Sequence, residues 1–306
     1  MIATSSTEKP ASSDRWLIPL SLVALYLIWG STYLGISVAV RPGGFQSFQL
    51  NAIRFILAGA ILFLFLRARG SALPSAKQVR NAAIVGVLLV IGGNGLTTLA
   101  LKLGAPSGIS ATVIATTTLW AGLWGTLWGN RPRALEWLGM GVGILGVGVL
   151  TLEGSFQSNP AIFIQFAAPM LWALGSILSR HMDMPEPMMA SSVEMFAGGL
   201  VALPISLLMG EQWHMPSVEA WGAFAYLLVF GSLVGYNAYI FLLTKVRPAV
   251  ATSYAYVNPV VALALGVFLV NEQIDAKTFI ALPIILAGVG LIALAQNRRV
   301  REPQAQ

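Results

Sequence analysis

The chain has 306 residues, of which 56% are hydrophobic and only 10% are charged, and its mean hydropathy is +0.75. Soluble domains carry about 25% charged residues, so this composition excludes an ordinary soluble protein and is typical of a chain that lies in lipid. The lack of cysteine excludes disulfide frameworks and thiol nucleophiles, and the net charge of +6 is better explained by basic residues at the cytoplasmic ends of membrane helices than by nucleic-acid binding.

Ten apolar stretches, each about long enough to cross a bilayer, follow one another with short connections. In chain order the predicted spans are 16–40, 47–66, 81–101, 106–128, 134–152, 160–179, 188–209, 220–243, 248–270 and 277–296. A polar tail of residues 1–15, expected to be disordered, precedes them, and a tail of residues 297–306 follows. The sequence therefore predicts an all-α integral membrane protein with ten transmembrane helices.

The ten spans form two sets of five, in residues 16–152 and 160–296. Proline-headed helix starts recur at Pro106 and Pro248, and glycine-rich helix ends recur at Gly146 and Gly288. Because five is an odd number, the second set is expected to enter the membrane from the opposite side. Inverted repeats of this kind surround a central site in carriers that alternate its access between the two faces.

Basic residues give the orientation. With a cytoplasmic N-terminus, most of the 18 lysines and arginines fall in inside tails and loops, a bias that places both termini in the cytoplasm of a multi-pass inner-membrane protein. Equivalent loops of the two sets also differ in charge. Arg131 and Arg133 follow the fourth span, whereas Glu272 and Asp275 follow the ninth, as expected for loops on opposite sides.

Polar and aromatic residues cluster near the middle of spans one, three, four, six, eight and nine, while the other spans have few at this depth. An unpaired polar group in hydrocarbon costs several kcal/mol, so the cluster favours a cavity that holds water or a polar solute. The alternative is that Ser and Thr bond back to their own helix and Asn bonds across helices. The candidate substrate-binding residues are Trp29, Tyr33, Asn94, Thr112, Thr116, Trp120, Trp172, Tyr236, Asn237, Tyr254 and Asn258.

Spacing supports this choice on two spans. Thr112, Thr116 and Trp120 recur every four residues, so they share one face of a helix, and Tyr254 and Asn258 do the same on the ninth span. Directly after Asn258 comes Pro259, which removes a backbone hydrogen bond in mid-span. Because kinked or broken helices are common at transporter sites, Pro259 is a candidate hinge.

Two charges, Arg54 and Glu194, lie well inside the second and seventh spans at near-equivalent positions of the two sets. Intramembrane charges are functional candidates. Their expected depths differ by on the order of 10 Å, which argues against an ion pair between them. Structural roles are favoured for both, and a role of Glu194 in coupling or substrate binding stays open.

Small residues mark the fifth span, where Gly139 and Gly143 have GxxxG spacing. Such residues let helix backbones approach closely. We expect the fifth and tenth spans to pack within a monomer, with a dimer through these helices as the alternative.

Two segments carry a resemblance to a known family. They are Ile28–Tyr33 (IWGSTY) in the first span and Ala251–Val260 (ATSYAYVNPV) in the ninth. Together with Glu272 they resemble the EamA-like ten-helix branch of the drug/metabolite transporter superfamily, and within it permeases of the YddG and YedA type. The resemblance implies ten helices with cytoplasmic termini, a cavity from helices one, three, four, six, eight and nine, and export of amino acids or other small metabolites. One departure is that family members often have a proline in helix four, where this chain has consecutive threonines from Thr116.

The function that follows is secondary transport by alternating access, exporting small metabolites, amino acids with aromatic or apolar side chains among them, with no cofactor or metal. A nucleotide-sugar, organophosphate or drug exchanger of the same superfamily is the alternative, although anionic substrates need Lys or Arg deep in the pocket and spans eight and nine offer none. A membrane enzyme is disfavoured because His181 and His214 fall in opposite loops and no pair of acids converges. A sensor would be expected to carry an extramembrane domain.

Overall fold

The computed structural model describes residues 14–129, 132–151, 161–245, 254–271 and 276–301. The regular structure of these residues is helical, and they contain no strand. In chain order the α-helices are α1 (Asp14–Ala39), α2 (Ser47–Ala68), α3 (Ala76–Gly86), α4 (Leu96–Lys102), α5 (Ser107–Ile114), α6 (Thr117–Gly125), α7 (Ala134–Thr151), α8 (Ala161–His181), α9 (Pro187–Leu208), α10 (Val218–Tyr226), α11 (Gly235–Lys245), α12 (Tyr254–Val270) and α13 (Ala276–Arg301). Two π-helical segments, Val87–Gly95 and Leu227–Val234, join α3 to α4 and α10 to α11.

Within the described residues, five helical stretches are long and apolar enough to cross a membrane. They are Trp16–Ala39, Ser47–Ala68, Ala76–Lys102, Pro187–Leu208 and Val218–Tyr239. Shorter apolar helices cover Ala134–Gly146, Val257–Leu269 and Thr278–Ile292. The chain is therefore a helical membrane protein, and the count of ten spans stays a prediction.

The two tails lie largely outside the described residues. Helix α1 begins at Asp14, inside the segment expected to be disordered, and α13 continues to Arg301, inside the segment expected to be the second tail. The remaining residues, 1–13 and 302–306, are not among those that the structure describes.

The fourth predicted span is divided at Ala115 and Thr116, between α5 and α6. The hydroxyls of Thr116 and Thr117 each donate to a carbonyl three residues back, at Val113 and Ile114, over 2.6 Å. Such bonds compete with the helical ladder, and the Thr116 N–H also bonds three residues back, to Val113 over 3.0 Å. The break therefore falls where the resembling family often has a proline.

Helices α2 and α9 pack against each other through two glycines. A Cβ atom at Gly59 would lie 2.5 Å from the backbone nitrogen of Phe196, and one at Gly199 would lie 2.6 Å from that of Ile56. The two contacts are reciprocal, because each glycine meets the residue three positions before the other. Close backbone approach of this kind requires residues without side chains.

The carboxylate of Glu211, just after α9, accepts hydrogen bonds from the backbone N–H groups of Phe48 and Gln49 at the start of α2, over 3.0–3.1 Å. A carboxylate at a helix N-terminus satisfies orphan N–H donors and interacts favourably with the helix dipole. The end of α9 therefore lies beside the beginning of α2, and the two helices run antiparallel.

Helices α7 and α13 use small residues in the same way. A Cβ at Gly288 would lie 2.5 Å from the nitrogen of Gly143, and one at Gly146 would lie 2.9 Å from the nitrogen of Ile285. The GxxxG glycines of α7 therefore meet α13 of the same chain.

Candidate functional site

A cavity of about 240 Å³ lies in the middle of the helices. Its walls come from α1, α2, α4, α5, α6, α8, α11, α12 and both π-helical segments, whereas none of the described side chains of α3, α7, α9, α10 and α13 lines it. The polar and aromatic side chains that line it are Trp29, Thr32, Tyr33, Arg54, Phe55, Asn94, Thr97, Thr117, Thr118, Trp172, Ser176, Arg180, Ser232, Tyr236, Tyr239, Tyr254 and Asn258. Helix α2, whose span was expected to be poor in cavity residues, therefore reaches the cavity.

Aromatic rings form one wall around Trp29. The ring centroids of Tyr254, Tyr239 and Tyr236 lie 4.8, 5.4 and 6.2 Å from that of Trp29, with Tyr254 and Tyr236 edge-on. The indole N–H of Trp29 donates to the Gly231 carbonyl over 3.2 Å, which fixes the direction of the ring. This wall offers π faces to an aromatic or aliphatic side chain or to a cation.

The two π-helical segments supply backbone carbonyls that accept hydrogen bonds from side chains. In a π-helix the ladder is rearranged to i→i+5, and such segments are frequent at functional sites. Carbonyls inside both segments accept side-chain donors: Leu89 from Asn94 over 3.3 Å and Leu233 from Asn237 over 2.6 Å. Gly231, which receives Trp29, lies in the second segment as well.

The structure brings most of the predicted binding residues together on the cavity. Those that line it are Trp29, Tyr33, Asn94, Trp172, Tyr236, Tyr254 and Asn258. The candidate hinge Pro259 lines it too, although α12 runs through this residue as one helix.

The remaining predicted residues lie elsewhere. Thr112 and Thr116 are buried, and their hydroxyls donate to carbonyls of their own helix, at Gly108 over 2.8 Å and at Val113 over 2.6 Å. Trp120 is half-buried and does not line the cavity, and Asn237 lines an open groove between α1 and α11.

On α5 and α6 the cavity face differs from the face that the four-residue spacing selects. The residues that line the cavity lie on both sides of the break: Ala111, Ile114 and Ala115 before it, and Thr117, Thr118 and Ala121 after it. On the second π-helical segment and α11, Ser232, Tyr236 and Tyr239 share the cavity face. Their i, i+4, i+7 spacing is the sequence signal that would have selected them over Asn237.

Many hydroxyls on the wall are already satisfied by their own helices. Thr32 donates to the carbonyl of Trp29 over 2.7 Å, Thr117 to Ile114 over 2.6 Å, and Ser176 to Trp172 over 2.9 Å. For these residues the alternative of bonding back to the helix describes the structure. Asn258 differs, because its side-chain Oδ1 is buried and has no hydrogen-bond partner among the described residues.

The two intramembrane charges are both buried and are not paired with each other. Arg54 is 5% exposed, and its Nε donates to Ser232 Oγ over 2.9 Å while its guanidinium carbon lies 4.7 Å from the Phe55 ring centroid. Glu194 is 8% exposed, and its carboxylate accepts a hydrogen bond from the Tyr236 hydroxyl. Arg54 therefore lies on the cavity wall, and Glu194 lies behind Tyr236.

Comparison with known proteins adds the family context. The EamA-like transporter family matches this chain twice, over residues 16–152 and 159–294. The chain is 40% identical over 287 residues to the uncharacterized inner membrane transporter YedA of Escherichia coli, covering 92% of this chain and 93% of YedA. It is also 23% identical over 312 residues to the uncharacterized transporter sll0355 of Synechocystis, covering 92% and 91% of the two chains.

The crystal structure of another protein resembles this one, with a TM-score of 0.64 at 20% sequence identity. The match covers 90% of this chain and 97% of that chain. At this identity the likeness shows a common fold.

Proposed function

The chain belongs to the EamA-like transporter family of membrane transporters, and from this premise we propose that it exports small metabolites across the cytoplasmic membrane by alternating access. Amino acids, including those with aromatic and apolar side chains, are the proposed substrate class. The names of the family and of the relatives indicate a transporter rather than an enzyme.

The cavity carries this proposal. Its volume of about 240 Å³ is below the roughly 300–1,000 Å³ of pockets for drug-sized ligands, which favours one small metabolite over a nucleotide sugar or a drug. Its walls combine the Trp29 aromatic cluster with the Arg54 guanidinium and the Asn258 amide. A zwitterion with an apolar side chain matches this mixture of surfaces.

Internal correspondence supports the two inverted sets of five helices. Helices α2 and α9 run antiparallel with reciprocal glycine contacts, and the family matches each half separately. The two π-helical segments occupy corresponding places, Val87–Gly95 in the first half and Leu227–Val234 in the second. Both segments supply residues to the cavity, as expected where two repeats meet at a transport site.

Alternating access needs places where the helices bend. The break at Ala115 and Thr116 in the first half and Pro259 in the second both adjoin the cavity. We propose these as hinges, since the break divides one helix and Pro259 removes a backbone hydrogen bond from the other.

A second candidate is exchange of an organophosphate. Arg54 and Arg180 both line the cavity, so the positive charge that such a substrate requires is present. The small cavity volume favours a compact phosphate ester over a nucleotide sugar.

Counterflow in proteoliposomes tests the proposal. The purified chain is reconstituted and loaded in turn with amino acids, small phosphate esters, nucleotide sugars and cationic drugs. We expect exchange of apolar and aromatic amino acids, because these match the aromatic wall. Exchange of phosphate esters alone would favour the second candidate, and exchange of none of these classes would overturn the proposed substrate class.

Matched substitutions tie the exchange to the cavity. Trp172→Ala and Asn258→Ala are expected to lower exchange at least about tenfold, because each removes a cavity contact. Trp120→Ala and Asn237→Ala replace the same residue types off the cavity and are expected to stay near wild type. Equal losses in the two sets would contradict the assignment of the cavity as the transport site.

Cysteine labelling tests the orientation, and the cysteine-free sequence gives it a clean background. With cytoplasmic termini, Lys77→Cys is expected to react only with reagent that crosses the membrane, whereas Met215→Cys, which is 81% exposed, is expected to react from outside. Reaction of both from the same side would contradict the inverted arrangement.

A further inference from the structure

Arg54 is a buried cation on the cavity wall without an acidic partner. No carboxylate of the described residues lies within ion-pair distance of it, and the neighbouring intramembrane acid, Glu194, is bonded to Tyr236 instead. A buried charge is costly unless it is paired and hydrogen-bonded, so the arrangement is incomplete as it stands.

The guanidinium is held in place but keeps donors free. Among the described residues its hydrogen-bond partner is Ser232, whose Oγ accepts from Nε, and the Phe55 ring stacks beneath the guanidinium at 4.7 Å. A Cβ atom at Gly231 would lie 3.1 Å from the Arg54 Nη2, so the lack of a side chain there gives this end of the fork its room. A planar fork with unused N–H groups matches the two oxygens of a carboxylate.

The cavity also contains the complementary acceptor. Asn258 Oδ1 is buried, lines the cavity with the rest of its residue, and has no hydrogen-bond partner among the described residues. An ammonium group supplies the donors that such an oxygen lacks. Tyr254, on the same helix, presents an aromatic ring to the same space.

We propose that Arg54 binds the carboxylate of the transported solute and that Asn258 Oδ1 accepts a hydrogen bond from its ammonium group. The identity of the solute as an amino acid rests on the proposed function. The pairing of Arg54 with a carboxylate does not rest on it, because any solute with a carboxylate can bind the same guanidinium. Arg54 is then a substrate-binding residue rather than a structural one.

The experiment compares four ligands of one shape on the purified full-length chain. They are L-leucine, L-leucinamide, 4-methylpentanoate and 3-methylbutylamine, which keep or remove the carboxylate and the amine separately. Binding is measured by equilibrium titration and by the ligand-induced shift in melting temperature. Wild type is expected to prefer the two carboxylates, L-leucine and 4-methylpentanoate, over L-leucinamide and 3-methylbutylamine by about 10- to 100-fold, as for a charge-assisted bidentate contact.

Substitutions assign the preference to its residues. Arg54→Gln is expected to abolish the carboxylate preference, and Arg54→Lys to keep part of it because the charge stays but the fork is lost. Asn258→Ala is expected to reduce the preference for L-leucine over 4-methylpentanoate while the carboxylate preference remains. Arg41→Gln, at an exposed arginine away from the cavity, is the matched control and should behave as wild type.

The outcomes separate the inference from the proposed function. Equal binding of acids and amides by wild type, or an unchanged preference in folded Arg54→Gln, overturns the inference even when leucine exchange is intact. Binding of 4-methylpentanoate through Arg54 without leucine counterflow supports the inference and removes the amino-acid proposal. If Arg54→Gln does not fold, the wild-type preference and the Arg54→Lys variant decide.

Discussion

Helices α2 and α9 each carry one buried charge five residues before the glycine through which the two helices touch. Arg54 on α2 reaches the cavity and bonds Ser232 on its wall, whereas Glu194 on α9 stops behind Tyr236. Ser232 and Tyr236 are four residues apart, so the same stretch of chain receives both charges.

Arg54 and Glu194 differ in the residue that lies next to each charged group. Gly231 leaves space for the guanidinium, while Glu194 is bonded to Tyr236, which lines the cavity. Equivalent positions in two repeats therefore take different roles, because the residues facing them differ. One position places its charge on the cavity wall, and the other has its charge satisfied by a neighbouring hydroxyl.

The largest expected loss of stability comes from disrupting the glycine contact between α2 and α9, which aligns Arg54 with Glu194. Gly59→Ala and Gly199→Ala each place a Cβ less than 3 Å from backbone of the opposite helix, so each should cost about 1–3 kcal/mol or more. The melting temperature of the purified protein measures this loss.

Gly141→Ala is the matched control for this pair, because a Cβ there meets nothing within 4 Å. It should leave stability unchanged or raise it by up to about 1 kcal/mol through helix propensity. A loss at only one of Gly59 and Gly199 would show that the contact is not reciprocal.

A smaller effect is expected when the partner of Glu194 is removed. Tyr236→Phe leaves the buried carboxylate without this hydroxyl and should destabilise the protein by about 1–3 kcal/mol, whereas the loss should shrink in a Glu194→Gln background. A double-mutant cycle on melting temperature measures this coupling, and additive losses would contradict the contact. Glu194→Gln should leave the preference for carboxylate ligands unchanged, in contrast to Arg54→Gln.

The N-termini of α2 and α9 each bind a glutamate carboxylate, and the strengths of these two caps can be compared. Glu211 accepts from two backbone N–H groups of α2 at 3.0–3.1 Å, while Glu186 accepts from one of α9, that of Met189, at 3.4 Å. Glu211→Ala should therefore cost about 1 kcal/mol and Glu186→Ala less, as read from melting temperatures. The reverse order would contradict the bond lengths as a guide to cap strength.

The smallest effect is expected at the ion pair between Lys77 and Asp183. Their charged groups are 3.6 Å apart, and the side chains are 64% and 47% exposed. Exposed pairs contribute about 0–1 kcal/mol, so Lys77→Ala should change the melting temperature little, and less at high salt. A loss as large as that of Tyr236→Phe would show that this end of the molecule is more tightly coupled than its exposure indicates.

Sequence reasoning found the cavity where composition within the spans was informative. Trp29, Asn94, Trp172 and Tyr254 each stood out as polar or aromatic groups at mid-span, where lipid gives them no partner, and they do line the cavity. Composition and spacing were less informative in the fourth and eighth spans. Thr112 was selected because it recurs with Thr116 and Trp120 every four residues, and Asn237 because it is a polar residue near mid-span, but neither signal identifies the face that lines the cavity.

The sequence by itself determined that this is a helical membrane protein of the EamA-like kind, because long apolar runs and two family segments are local properties of the chain. Only the tertiary structure decided which way each polar side chain points. A break or a π-helical turn rotates all the residues after it, and whether Arg54 or Glu194 meets the cavity depends on Gly231 and Tyr236, which are distant in sequence. Packing between remote segments, rather than local spacing, selects the residues that a solute can touch.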